Sequence, residues 1–357
     1  MIKIFIADDS ALMRTLLSDL FSKEADFQVI GTASNGREAV EKIKVLKPDL
    51  VTMDINMPIM DGIDALEIIM KECPTSVIMI SSLTKAGADA TIKALSLGAV
   101  DFIQKVSGTI CRVDMIKREI LDKCRAAVKV NLKKTTFIES FPKLEYPKKS
   151  FTSFNSFQKD FKVASKKMDE KIIAIGTSTG GPRALQQVIT KLPEDLPCGV
   201  VVVQHMPPGF TKSLAERLNS LSKVTVKEAE HNDVISPGKI FIAPGNYHMT
   251  VESQGDKRVI HLNQDPPLAS HRPAVDILFS SLAKFRDRVV AAILTGMGSD
   301  GAKGMKCIKE HGGFAIAEDE STAVVYGMPK AVVELGLADR VIPIDAIADE
   351  LVQIVKK

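Results

Sequence analysis

The pentapeptide Gly176-Thr177-Ser178-Thr179-Gly180 sets one hydroxyl nucleophile among small residues. Small flanks let a chain turn sharply enough for the serine hydroxyl to stand exposed at the apex. Before it, Ile172-Ile173-Ala174-Ile175 predicts a buried strand. After it, Pro182 opens a segment with Leu185, Val188, Ile189 and Leu192 at helical spacing. The first N–H groups of such a helix point at the space above Ser178, where they can stabilise the oxyanion formed when the hydroxyl attacks a carbonyl. A glycine-containing turn between strand and helix also suits a dinucleotide pyrophosphate. Two features argue against that use. Ser178 stands at the second glycine of G-x-G-x-x-G, and the next apolar run, Gly199 to Val203, ends in Gln204-His205 instead of a ribose-binding acid.

A serine nucleophile needs a base, and the chain holds six histidines. His261 alternates within a predicted hairpin, His311 lies near a helix end before Gly312-Gly313, and His231, His248 and His271 fall in polar or turn contexts. His205 ends a predicted central strand and so projects onto the same edge as Ser178. The run Val289 to Leu294 delivers Thr295-Gly296-Met297-Gly298-Ser299-Asp300-Gly301 to that edge, where Asp300 can orient the imidazole; its alternative role is to cap a helix beginning near Ala302. The order Ser178, His205, Asp300 differs from the serine, acid, histidine order of the α/β-hydrolases. No His-x-His or His-Glu-x-x-His spacing suggests a metal here, so no cofactor is expected in this half.

A second set of polar groups ends the strands of the N-terminal part. Asp8-Asp9 follow the first apolar run, Asp54 the third, Ser81-Ser82 the fourth and Lys105 the fifth. Three carboxylates gathered at one edge repel one another, and a cation among them relieves that repulsion; Mg²⁺, with its preference for oxygen ligands and retained waters, suits it best. Helix capping is the competing explanation, and it fits Asp64 better than three strand ends at once.

Positioning these groups requires two α/β units. The runs Ile2–Ile6, Val29–Gly31, Leu50–Met53, Val77–Ile80 and Val100–Ile103, with amphipathic stretches between them, predict a five-stranded parallel, flavodoxin-like domain over residues 1–125. Residues 169–357 predict a doubly wound, mostly parallel α/β domain with strands at Ile172, Gly199–Val203, Ile240–Ala243, Val289–Leu294 and Phe314–Ala317 and an antiparallel hairpin at His248–Leu262. Between them, residues 126–168 lose periodicity and fill with Lys, Ser and Thr, which reads as a basic linker. Phe137, Phe141, Phe151, Phe154, Phe157 and Phe161 interleave with its lysines in a manner suited to stacking on single-stranded nucleic acid. The spacing of Phe154, Phe157 and Phe161 fits a short helix docked on a domain face more simply.

Composition narrows the class. At 45% hydrophobic and 25% charged the 357 residues are ordinary globular material, and a net charge of +3 is too small to argue for nucleic acid. The apolar opening is interrupted by Asp8-Asp9, and no run approaches the roughly 18 residues of a spanning helix, so neither signal peptide nor membrane anchor is expected. Five scattered cysteines without metal-pair spacing suggest reduced thiols in the cytoplasm.

At Asp8-Asp9, Asp54-Ile55-Asn56-Met57-Pro58, Asp61-Gly62, Ser81 and Lys105 the N-terminal part resembles a response-regulator receiver domain. The resemblance implies that Asp54 accepts a phosphoryl group from a chemotaxis histidine kinase, that Asp9 and Asp54 hold Mg²⁺ with Asp8 in support, that Ser81 and Lys105 sense the phosphate, and that Phe102 is the switch aromatic. Val106 stands where the family usually carries a proline. The segments IGTSTGGPRAL, QHMPPGF, FIAPGNYHM, HRPAVD and LTGMGSDG resemble the chemotaxis protein-glutamate methylesterase family (CheB), with Asn246 at an expected glycine. That resemblance implies a Ser178–His205–Asp300 triad, an oxyanion site formed with Met297 and the Thr179 N–H, and methyl-accepting chemoreceptors as substrates of demethylation and glutamine deamidation. A receiver-controlled hydrolase of another acyl substrate and a receiver joined to a nucleic-acid-binding effector are the alternatives. With both active edges at strand carboxyl ends, the unphosphorylated receiver is expected to cover Ser178.

Overall fold

The computed structural model describes residues 1–82, 84–105, 113–130 and 170–357. Val106, Cys111 and the linker phenylalanines lie outside the described residues. The N-terminal unit alternates β1 (Ile2–Ala7), α1 (Ala11–Ser22), β2 (Phe27–Ala33), α2 (Gly36–Leu46), β3 (Leu50–Asp54), α3 (Gly62–Glu72), β4 (Ser76–Ser81), α4 (Lys85–Leu97), β5 (Asp101–Gln104) and α5 (Val113–Val128). Its strands pair in the order β2-β1-β3-β4-β5, all parallel. Every residue of β3 and β4 is buried, as central strands covered on both faces must be, and their near-continuous apolar runs follow from that.

Local chemistry sets the helix starts. Ser10 caps α1 through Met13 N, Asn35 caps α2 through Glu38 N, and Glu38 reaches back to Ser34 N at 2.9 Å. Helix α3 is capped by Asp61, whose carboxylate accepts from Ile63 N and Asp64 N, so the expectation that Asp64 caps is corrected: Asp64 lies in the first turn, as the third helical residue. Helix α5 runs on to Val128, with Ala126 and Ala127 buried and Ser76 Oγ donating to Ala127 O, so packed structure continues past residue 125.

The C-terminal unit contains β6 (Ile172–Thr177), α6 (Gly181–Ile189), β7 (Gly199–Gln204), α7 (Phe210–Leu221), β8 (Thr225–Glu228), β9 (Lys239–Ile242), β10 (His248–Gln254), β11 (Lys257–Asn263), α8 (Val275–Leu282), β12 (Val289–Ile293), α9 (Ala302–Glu310), β13 (Phe314–Glu318), α10 (Met328–Glu334), β14 (Arg340–Ile342) and α11 (Ile344–Lys356). Seven strands form one parallel sheet in the order β14-β13-β12-β6-β7-β9-β8, and β10 and β11 pair antiparallel as a separate ribbon. The two edge strands were not legible in the sequence: β8 and β14 have four and three residues, too short to display a period. The chain leaves β6 toward β7 and later returns to the other flank of β6 as β12. A crevice opens at that reversal, beyond the carboxyl ends of the strands.

The two units meet through α4 and β5 of the first and α6 and α7 of the second. Phe102 stacks on Phe210 with ring centroids 4.6 Å apart, and Ser96 Oγ lies 3.4 Å from Gln186 Oε1. Among the described residues no helix is long and apolar enough to cross a membrane. Phe279, fully buried on α8, fills the space against α9. Phe279→Ala is expected to destabilise the C-terminal unit by about 3–5 kcal/mol, read as a lowered midpoint of its urea transition; an unchanged midpoint would contradict the packing described.

Candidate active site

The turn from β6 into α6 is the elbow predicted around Ser178. Gly180 takes φ +79°, a left-handed conformation that side chains other than glycine's rarely accept, and Pro182 sits in the first turn of α6. A β-carbon on Gly181 would meet Gln204 Oε1 and Thr177 Oγ1, and one on Gly296 would lie 2.9 Å from Ser178 Cβ. Glycines are thus required both under Ser178 and beside it. The loop after β12 holds the elbow: Thr295 O accepts from Ser178 N at 3.0 Å and Thr177 Oγ1 at 2.8 Å, and Thr295 Oγ1 donates to Thr179 O at 2.9 Å. Because Ser178 N–H is engaged by Thr295, it is not aimed at the cleft. Met297, 37% exposed, lines a cleft of about 1020 Å³ between the units together with Gly298, Tyr326 and α5.

His205 follows β7, and its Nε2 lies 2.8 Å from Asp300 Oδ2. Nδ1 is buried without a hydrogen-bond partner. The tautomer with the proton on Nε2 therefore has a free lone pair at Nδ1, as a general base requires. Asp300 also accepts from Val275 N at 2.7 Å and Asp276 N at 2.9 Å. Burial pushes its carboxyl up, but the His205 contact and these two N–H groups together hold it below its ordinary value. Asp300 does cap a helix, but the helix is α8; the N-cap of α9 is Gly301.

Two groups near this arrangement were missed in the sequence. His271, read as a turn residue, stacks nearly parallel on His205 with centroids 4.0 Å apart, and burial, aided by the His205 charge, pushes it down to about 4. Its neighbour Arg272 donates to Asn246 Oδ1 at 2.6 Å, and Asn246 has φ +68°. That backbone explains why glycine is expected at 246, and asparagine is a residue that tolerates it. Glu318, at the end of β13, is buried and accepts from Thr295 N at 2.7 Å and Thr322 Oγ1 at 3.1 Å, so it props the loop that holds the elbow. His271 opens the HRPAVD segment, but its stacking on His205 is not stated there, and no linear motif marks Glu318; each acts on a partner distant in sequence.

In the N-terminal unit Asp8, Asp9 and Asp54 each offer an oxygen within 4.8 Å of the others. Lys105 Nζ pairs with Asp54 Oδ2 at 2.8 Å and approaches Asp8 Oδ2 at 3.1 Å, where the angle leaves no directed hydrogen bond. Burial lifts the Asp54 carboxyl above its ordinary value, Lys105 opposes this, and Asp8 and Asp9 add to it. One lysine facing three acids leaves excess negative charge, so the donor set fits a hard divalent cation. Ser81 Oγ is buried and bonds within α4, accepting from Thr91 Oγ1 at 2.7 Å and donating to Gly87 O at 3.1 Å. Phe102 is buried between the units.

Residues 173–351 match the model of the CheB methylesterase domain and residues 4–113 that of the response regulator receiver domain. The chain belongs to the CheB methylesterase family. It is 48% identical to the protein-glutamate methylesterase/protein-glutamine glutaminase of Geobacillus kaustophilus, over 99% of both chains. A protein of the same name from Pyrococcus horikoshii is 45% identical over 99% of this chain and 94% of that one. The crystal structure of the Thermotoga maritima CheB methylesterase catalytic domain shares 49% identity and superposes with a TM-score of 0.52, covering 52% of this chain and 99% of that one. The chain is thus an ester hydrolase under a receiver, and the expected α/β architecture of both CheB units is the observed one.

Stacked aromatic pairs contribute about 0.5–1.5 kcal/mol, so His271→Ala is expected to lower kcat roughly threefold to tenfold while His271→Phe retains most of it. Equal losses in both variants would show that the ring face is not what matters. Burial pushes Glu318 up to about 7 from an ordinary 4.5. Stability contributed by a group raised in this way is present below its unfolded value and lost as pH rises through the folded one. Between pH 4.5 and 7 the wild type should therefore lose stability relative to Glu318→Gln, measured as diverging Tm values; parallel curves would show that Glu318 does not titrate there.

Proposed function

We propose that Ser178, His205 and Asp300 are the triad of a protein-glutamate methylesterase and protein-glutamine deamidase acting on chemoreceptors, in the cytoplasm. The observation that carries this reading is the 2.8 Å His205–Asp300 pair and Ser178 at the ends of three neighbouring strands. Ser178 attacks the γ-carbonyl of a glutamyl methyl ester as His205 Nδ1 takes the hydroxyl proton. Asp300 holds the imidazole through Nε2 and stabilises the imidazolium. The Thr179 N–H and Met297 loop receive the oxyanion. His205 returns the proton to the departing methoxide, methanol leaves, and a water activated by Nδ1 cleaves the acyl-serine to the carboxylate. With a glutamine the same steps release ammonia.

Asp54 is the proposed phosphoacceptor of a chemotaxis histidine kinase. Asp9 and Asp54, supported by Asp8, would hold Mg²⁺, which when bound neutralises charge on the transferring phosphoryl group. Lys105 then pairs with the phosphate, and Ser81 exchanges its bonds within α4 for one to it. Regulation rests on where the receiver docks. Thr179 Oγ1, beside the nucleophile, donates to Asp101 Oδ2 at 2.7 Å, and Phe102 is the next residue. Contact is thus made through the side formed by α4, β5 and α5, with Asp101 covering the oxyanion residue. A receiver unit and a catalytic unit of residues 169–357 on either side of a linker are part of this proposal, with the receiver limit moved from 125 to Val128, where α5 ends.

Methanol release from methylated receptor membranes, with and without a small phosphodonor, tests the reading. Ser178→Ala and His205→Ala are expected to lose roughly 10⁴-fold or more in kcat while staying folded; full turnover by Ser178→Ala would sink it. Asp54→Asn should abolish stimulation by the phosphodonor, and so should chelation of Mg²⁺. A hydrogen bond to a charged group contributes about 1.5–3 kcal/mol, so Asp101→Ala is expected to raise basal turnover about tenfold with no phosphodonor. Unchanged basal turnover would mean that this contact does not restrain the enzyme.

A further inference from the structure

Asp276 and Asp300 exchange helix ends. Asp300 precedes α9 in sequence, yet its two oxygens accept from Val275 N and Asp276 N, the first N–H groups of α8. Asp276, in the first turn of α8, sends Oδ1 to Gly301 N at 2.9 Å and Gly304 N at 2.7 Å, at the start of α9. The N-cap residues themselves, Ala274 and Gly301, supply no side-chain cap. Each helix start, with its unsatisfied N–H groups and positive dipole end, is therefore completed by a carboxylate carried on the other segment.

The exchange demands close approach, and two glycines provide it. A β-carbon on Gly304 would lie 2.5 Å from Phe279 Cβ and 2.8 Å from Asp276 O. One on Gly301, at φ +97°, would lie 2.7 Å from Ile293 Cδ1 and 2.8 Å from Val275 Cγ1. The residues that need to lack side chains include the two whose N–H groups Asp276 holds. Asp276 is itself buried, and burial together with the Asp300 charge lifts its carboxyl above the ordinary range.

We propose that Asp276 is a positioning residue for the esterase, holding the α9 start against α8 so that Asp300 meets His205 Nε2 while keeping its two bonds to α8. The inference rests on the Ser178–His205–Asp300 reading above. Asp300 Oδ2 serves His205 Nε2 at 2.8 Å and Val275 N at 2.7 Å together. Both bonds persist only while α8, the Asp300 loop and β7 keep fixed relative positions. Without Asp276 the α9 start loses its tie to α8, and Asp300 keeps one partner at the expense of the other. The imidazole is then misdirected rather than absent, which lowers kcat and leaves receptor binding intact.

The test uses the full chain with Mg²⁺ and a small phosphodonor, and follows methanol release from methylated receptor membranes below the onset of unfolding. Displacements near 1 Å at a reacting centre lower rates about a hundredfold. Asp276→Ala is accordingly expected to lower kcat about tenfold to a hundredfold with KM within about twofold. Asp276→Asn, which keeps an oxygen acceptor for Gly301 N and Gly304 N, should recover most of the rate. The double variant Asp276→Ala with Asp300→Ala should be no slower than Asp300→Ala alone, since Asp276 acts through Asp300. Gly304→Ala, which pushes α9 from α8 with both acids intact, should lower kcat in the same way and provides the test if Asp276→Ala does not fold. Wild-type kcat in Asp276→Ala or in Gly304→Ala, or a double variant slower by the full Asp276 factor, overturns the proposal. Wild-type kcat in Asp300→Ala instead overturns the triad reading on which it stands.

Discussion

Strand β6 pairs in parallel with β12 on one side and β7 on the other, and the chemistry depends on that pairing. Registers such as Gly176 with Ile293 and Thr177 with Gln204 set the three carboxyl ends at one level. Ser178, His205 and the Asp300 loop leave the sheet side by side from there. All three strands are buried on both faces, so a slip by one residue would exchange side chains between two close-packed cores of different shape, and the misfit opposes it. The rigidity that a catalytic geometry needs is inherited from the core below it.

Above the sheet, geometry is kept by polar groups that have little freedom to choose other partners. Thr295 bonds the Thr177 hydroxyl and the main chain of Ser178 and Thr179, and Glu318 bonds Thr295, so a carboxylate two strands away from Ser178 supports its elbow. Asp276 and Asp300 tie α8 to α9 in the same manner. Buried and engaged, these groups lose a full desolvation term if a bond is broken, which makes the arrangement stiff.

The receiver reaches this layer through β5. Asp101 touches Thr179, Phe102 stacks on Phe210, and Lys123 of α5 donates to Phe102 O at 2.7 Å while pairing with Glu119. The acidic cluster with Lys105 lies at the opposite, carboxyl end of the same short strand. Three residues, Phe102 to Gln104, thus separate Asp101, which contacts Thr179, from Lys105, which pairs with Asp54.

Much of this was legible beforehand because the physics is local. Small residues around Ser178, a histidine at a buried strand's end, and acids after the first and third strands state their geometry within a few positions. The capping role assigned to Asp64 failed because two acids lie within reach of one helix start and only the backbone decides between them. Strands β8 and β14 were invisible, being edges too short to carry a pattern. Glu318 gave no signal, and HRPAVD marked His271 and Asp276 without their partners: a stacked ring, a prop and an exchanged cap owe their roles to groups 66, 23 and 28 residues away. Sequence by itself determined which segments become strands and helices and which chemical groups crown them, since periodicity and turn chemistry act over a few residues. Only the tertiary structure decided which nitrogen of His205 faces Asp300, which helix Asp300 caps and which side of the receiver meets Thr179, because those depend on relative positions of segments that meet only after the sheet is built.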